Sequence, residues 1–91
     1  MNQNKKQAVI SLKKARTSID KIITMIEDDT YCIDVIQQNL AAIGLVKSAN
    51  VKLLESHLSC CFTTAAKSND ENRINEMIGE VLTIVKTAQN K

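Results

Sequence analysis

From Tyr31 to about Lys67 the chain carries no proline and one glycine, Gly44, so little in that stretch opposes a single helix. An interior glycine costs roughly 1 kcal/mol relative to alanine and leaves a helix intact. At ~1.5 Å per residue such a helix is roughly 55 Å long. The flanking segments allow two helices of about twenty residues each, at ~1.5 Å per residue too short to cover that length. The expectation is an obligate oligomer in which the long helices pair across a two-fold axis.

The flanks read as helices too. Leu12, Ala15, Ile19, Ile22 and Ile26 recur at alternating spacings of three and four, the pattern of an amphipathic helix. "EDDT" ends it, with Asp29 or Thr30 available to cap the next helix. "SNDEN" closes the long segment, with Ser68 and Glu71 spaced like a capping box. Ile74, Met77, Ile78, Val81, Leu82 and Val85 then form the stripe of a third helix. Only 2% of the residues are aromatic and there is no proline, so strands and tight turns have little to be built from. The chain therefore reads as an all-α, three-helix protomer with a long central helix, forming an antiparallel dimer. Its 91 residues make one domain, 1–91, without repeats or a linker.

Charge excludes less. The formal net charge is +2, but Lys5, Lys6, Lys13, Lys14, Arg16 and Lys21 outnumber Asp20 and Glu27 in the first segment. That face fits a solvated helix surface as well as a phosphate-contacting one. The beginning, "MNQNKKQAVISLKK", lacks the apolar run of a signal peptide, and no later stretch is long enough to span a bilayer. A cytoplasmic protein without membrane contact is expected, where three cysteines read as thiols or metal ligands rather than as a disulfide framework.

The stretch "LLESHLSCCF" puts His57 and Cys61 four apart. Advancing ~100° per residue from Cys32 along one helix, His57 falls about 20° to one side and Cys61 about 20° to the other. Ile36, Asn39, Ile43, Val46, Asn50 and Leu54 share the stripe, which marks it as the face a partner helix would cover. Cys32 and His57 lie ~37 Å apart along such a helix and cannot meet within it. In an antiparallel pair crossing near residues 44 to 46 they can, because Cys32 of one chain then faces His57 and Cys61 of the other. Ala41, Ala42, Gly44, Ser48 and Ala49 near the middle are small enough for a neighbouring helix to approach. Two thiolates and an imidazole suit Cu(I) in a three-coordinate site, or Zn(II) if water or another side chain completes a tetrahedron. Buried cysteines and a satisfied core histidine would leave the same stripe. Cys60, about 100° off it, reads as a bystander or a spare thiol.

The run "YCIDVIQQNLAAIGLVKSANVKLLESHLSCCF" resembles the second helix of the copper-sensitive operon repressor (CsoR) family, relatives of the nickel, cobalt and formaldehyde sensors. Tyr31, Cys32, Ile33, Asp34, Gln38, Ala41, Leu53, Leu54, Glu55, His57 and Cys61 match its pattern without a gap, and the resemblance covers nearly the whole chain. It implies a helical tetramer, a dimer of dimers, with Cu(I) held between subunits by Cys32, His57 and Cys61. It further implies that Tyr31 and Glu76, the latter placed with a one-residue gap near "SNDEN", link metal binding to the DNA-binding state. The first helix departs from the family. Where CsoR-type repressors read Arg-Leu-x-Arg-Ile-x-Gly-Gln, this chain has Ser11, Lys14, and Thr17 and Ser18 at the two arginines and the Gly-Gln, and Asp20 stands where a basic residue is common. Lys13, Lys14 and Arg16 remain to contact phosphates of operator DNA, but lysine lacks arginine's fork for a guanine edge.

The resulting expectation is a Cu(I)-responsive repressor that binds its operator when metal-free and releases it on copper binding. The alternative is a cytosolic copper buffer or carrier of the same fold without specific DNA binding. An enzyme is not expected, since no nucleophile and base pair exists outside the metal set. A thiol sensor of persulfide or aldehyde is a further alternative, but sulfide chemistry needs only the two thiols, so His57 argues for metal.

Overall fold

The structure, a computed structural model, describes residues 1–89. All regular structure among these residues is helical: α1 (Gln3–Glu27), α2 (Cys32–Ser56), a π-helical turn (His57–Phe62), α3 (Thr63–Lys67) and α4 (Glu71–Gln89). No described helix is long and apolar enough to cross a membrane. The chain divides into two compact units, one ending at Ser56 and one beginning at His57.

The first unit is an antiparallel hairpin of α1 and α2. Its seam repeats every seven residues: Ala8, Ala15 and Ile22 are buried on α1, and Val35, Ala42, Ala49 and Ser56 on α2. A seven-residue repeat keeps one face of each helix toward the other. Ile22, Val35 and Ala42 pack as one cluster with Met25 against it. At the open end Asn2 Nδ2 donates to Ser56 Oγ at 2.7 Å. Small residues thus recur in the seam on both helices, Ala8 and Ala15 on α1 and Ala42 and Ala49 on α2.

This seam corrects the face expected of α1. Ala15 and Ile22 are buried as the periodicity implied, but Leu12, Ile19 and Ile26 are exposed. Close approach selects small residues, which a search for large apolar ones passes over. Ala42 and Ala49 do admit a neighbouring helix, α1 of the same chain; Ala41, Gly44 and Ser48 face outward.

The turn between α1 and α2 also differs from expectation. Asp29 adopts a left-handed conformation, φ 55°. Its N–H bonds to the Ile26 carbonyl at 3.1 Å and that of Thr30 to the Met25 carbonyl at 2.9 Å. This pair of bonds is a Schellman closure of α1. Asp29 thus ends one helix instead of capping the next, using the tolerance of aspartate for a left-handed site.

In the second unit, Asp70 rather than Ser68 caps the last helix: its Oδ1 accepts from Arg73 N–H at 3.1 Å. Ser68 stands two residues too early and closes α3, its hydroxyl bonded to the Ala65 carbonyl at 2.6 Å. On α4 Met77 is buried, Ile74 and Val81 are half-buried, and Ile78, Leu82 and Val85 are exposed. The expected single helix from Tyr31 to Lys67 is helical as far as its ends imply, but the constant ~100° step holds only to Ser56. From His57 to Phe62 the turns are wider.

Candidate metal centre

Cys32 opens α2. Both Asp34 and Val35 N–H groups bond back to the Tyr31 carbonyl, at 3.0 and 3.3 Å, which fixes the first turn and leaves the Tyr31 ring 70% exposed. Cys32 lies in an open cleft of about 600 Å³ where the hairpin turns, lined by Ile26, Asp29, Thr30, Tyr31, Val35 and Ile36. Cys32 is exposed, and the lining around it combines the apolar Ile26, Val35 and Ile36 with Asp29.

His57 and Cys61 sit in the π-helical turn, where His57 is half-buried and Cys61 exposed. None of Cys32, Cys60 and Cys61 forms a disulfide. Cys60 Sγ lies 3.7 Å from Ser59 Oγ. Among the described residues no three His, Cys, Asp or Glu side chains of one chain come together as a metal set. The structure places His57 and Cys61 on one turn and Cys32 in the other unit. Accessible thiols and an imidazole fit a thiophilic ion such as Cu(I), whose affinity is for soft sulfur and nitrogen donors.

Glu76, on α4, is an exposed carboxylate 3.1 Å from the Arg73 guanidinium one turn earlier. The cations of the first helix are also exposed. Lys13 and Lys14 line a shallow groove with Ile10, Thr17, Ser18 and, from α2, Leu45. Thr17 Oγ1 donates to the Lys13 carbonyl at 3.2 Å. Arg16 does not line that groove. Of the five departures in the first helix, Lys14, Thr17 and Asp20 are exposed, while Ser11 and Ser18 are half-buried.

Sequence reasoning passed over the Asn2–Ser56 bond, although an asparagine before a helix is a capping signal. It also passed over Thr63, whose hydroxyl donates to the Leu58 carbonyl within the π-helical turn. Nothing in the composition of "HLSCCF" distinguishes a π-helical from an α-helical turn.

The described residues are helical, and they carry exposed thiols, a half-buried imidazole and a cationic first helix. Residues 4–87 match the metal-sensitive transcriptional repressor family, and the chain belongs to it. It is similar to the copper-sensing transcriptional repressor CsoR of Mycobacterium ulcerans, 37% identical over 82 residues, 89% of this chain and 70% of that protein. CsoR of Bacillus subtilis is 33% identical over 78 residues, 85% of this chain and 77% of the relative. The copper-sensing repressor RicR of Mycobacterium tuberculosis is 38% identical over 63 residues, 69% of this chain and 66% of RicR. The family is one of transcriptional repressors, not of enzymes, as the absence of a nucleophile and base pair in the sequence implied.

Proposed function

We propose that this chain is a cytoplasmic Cu(I)-responsive repressor whose metal-free oligomer binds operator DNA and releases it when copper binds. The observation that carries the reading is where the three candidate ligands lie. Cys32 lies in the cleft at the hairpin turn and His57 with Cys61 on the π-helical turn, and one chain brings no three such groups together. A site made of Cys32 from one chain and His57 and Cys61 from another ties metal binding to assembly. The copper-sensing relatives support copper as the signal, and two thiolates favour the monovalent ion.

Assembly follows from the outer face of α2. Ile36 and Ile43, on the stripe with Cys32, are 51% and 49% exposed, and Val46 is 39% exposed. The hairpin leaves that stripe uncovered, and an antiparallel partner helix buries it in a dimer, two of which form the tetramer. The whole of residues 1–91 works as one sensing domain. Copper shifts DNA affinity because it favours one packing of the helices over another, and only such a difference in affinity moves the equilibrium. Tyr31 and Glu76 link the site to that packing, and Lys13, Lys14 and Arg16 contact the DNA backbone.

A second reading, a copper buffer or carrier without operator recognition, is favoured by Ser11, Lys14, Thr17 and Ser18 in the first helix. Two measurements on the reduced protein separate them: Cu(I) titration against a chelator, and binding of its own promoter with and without copper. The repressor reading expects tight copper binding and copper-weakened promoter binding. Tight copper binding with no preference for that promoter over random DNA at physiological salt establishes the buffer, and weak copper binding overturns both.

A further inference from the structure

The buried seam of the hairpin is apolar except at its last position. Val35, Ala42 and Ala49 lead at the same seven-residue step to Ser56, which is 1% exposed. Alanine would fill that position with no polar group to satisfy, whereas a buried hydroxyl is unfavourable unless it is hydrogen-bonded. Asn2 supplies the partner, its Nδ2 donating to Ser56 Oγ at 2.7 Å. The orientation of that amide is fixed from its other side, where Oδ1 accepts from Lys5 N–H at 2.8 Å. One side chain therefore caps α1 and holds the last residue of α2, 54 positions away.

Ser56 is also where the regular helix stops. The π-helical turn begins at the next residue, His57, and no residue from His57 to Phe62 is buried. A turn with so little packing of its own opens readily. Ser56, fastened in the seam, is the anchored point directly before it. With Ser56 held, the direction in which His57 leaves α2 is set before any ion binds. An ion that meets a ligand already in place loses less affinity to ordering it.

We propose that Asn2 is a positioning residue for His57: by holding Ser56 it presets the end of α2 for the metal pair, and so couples the copper site to the first turn of α1. The inference rests on the reading that His57 and Cys61 bind Cu(I). Such coupling is reciprocal, so the ion in turn favours the contact and steadies the cap that Asn2 makes with Lys5.

Two variants break the contact from either side and keep a cap on α1. Asn2→Ser retains a capping oxygen but is too short to reach Ser56, and Ser56→Ala removes the acceptor. Ala15→Gly, in the seam away from both residues, lowers folding stability without touching the contact. Cu(I) affinity of the reduced, fully folded proteins is read by chelator competition. Each contact variant should bind copper about threefold to tenfold more weakly than the wild type, the equilibrium worth of one hydrogen bond. The double variant Asn2→Ser/Ser56→Ala should be no weaker than either single one, because both remove the same bond, and losses that multiply overturn the shared bond. Ala15→Gly should match the wild type. Wild-type affinity in the contact variants, or an equal loss in Ala15→Gly, overturns the positioning and leaves the contact a role in folding alone. Amide exchange supplies a readout that folding stability does not move. Copper should slow exchange at Lys5 and Lys6, whose N–H groups bond to Asn2, in the wild type and not in Ser56→Ala. Equal slowing in both overturns the coupling. Without copper, exchange of residues 54–58 should be faster in both contact variants than in Ala15→Gly, and equal rates overturn the hold. A wild type that binds no copper removes the parent reading, and the metal-free comparison still decides the hold.

Discussion

Asn2 and Ser56 close the hairpin at its open end: Asn2 Nδ2 donates to the buried Ser56 hydroxyl at 2.7 Å. The same side chain accepts from Lys5 N–H at 2.8 Å, so one residue both caps α1 and fastens it to the end of α2. Ser56 directly precedes His57. The contact therefore fixes the main chain at the residue before a proposed ligand.

Asn2→Ala removes both bonds. Loss of the cap costs about 1 kcal/mol and loss of the side-chain bond about 0.5–1.5 kcal/mol. Urea denaturation at fixed protein concentration should show a lower midpoint with an unchanged slope. An unchanged midpoint would mean that the contact contributes nothing in solution.

The seam and the outer stripe respond differently to substitution. Ala42→Leu forces a large side chain into the buried cluster with Ile22 and Val35, which costs about 1–3 kcal/mol of folding stability. Ile43→Ala, one residue along on an exposed face, should leave far-ultraviolet circular dichroism intact and shift sedimentation toward smaller species. A dimer or tetramer that persists undiminished in Ile43→Ala counts against the proposed partner face.

The ligand set predicts about one Cu(I) per chain, held in preference to Zn(II) by the thiolates. Cys32→Ala, His57→Ala and Cys61→Ala should each weaken binding severely, whereas Cys60→Ser should be close to neutral. If Cys32→Ala binds like the wild type, the proposed site is wrong.

Sharing between chains has its own test. Neither Cys32→Ala nor the double variant His57→Ala/Cys61→Ala builds a complete site in a homodimer. In a purified heterodimer of the two, one site combines Cys32 from the double variant with His57 and Cys61 from the single one. That heterodimer should recover about half of the wild-type capacity, one of two sites that soft ligands complete. A heterodimer as copper-blind as its parents excludes the antiparallel pairing.

For DNA, the exposed lysines predict affinity that falls steeply with salt, in proportion to the phosphates neutralised. Lys14→Ala, in the groove with Lys13, should lower affinity for operator and random DNA alike and flatten the salt slope by about one phosphate contact. A loss confined to one operator sequence would show base reading instead.

The helices were legible in the sequence because apolar spacing of three and four has no other simple reading. Which face is buried was legible only in part on α1, through Ala15 and Ile22. Leu12, Ile19 and Ile26 carry the larger apolar signal, yet a close hairpin takes Ala8 and Ala15, and the large residues stay outside for another contact. Cys32, His57 and Cys61 stood out in the sequence through residue type and separation, and they remain the proposed ligands. The π-helical turn was not visible. It is defined by hydrogen-bond offsets, which no local propensity encodes. Asp29 and Asp70 followed the same rule, for a shift of one or two residues at a helix end decides whether a side chain closes or caps.

The seven-residue seam has a consequence for descent. Ala8, Ala15, Ala42 and Ala49 make the hairpin, while Lys13, Lys14, Arg16 and Thr17 face away from it. The inward and outward sides of α1 thus answer to different constraints. A lineage can exchange the exposed letters while inheriting an unaltered hairpin between its two longest helices.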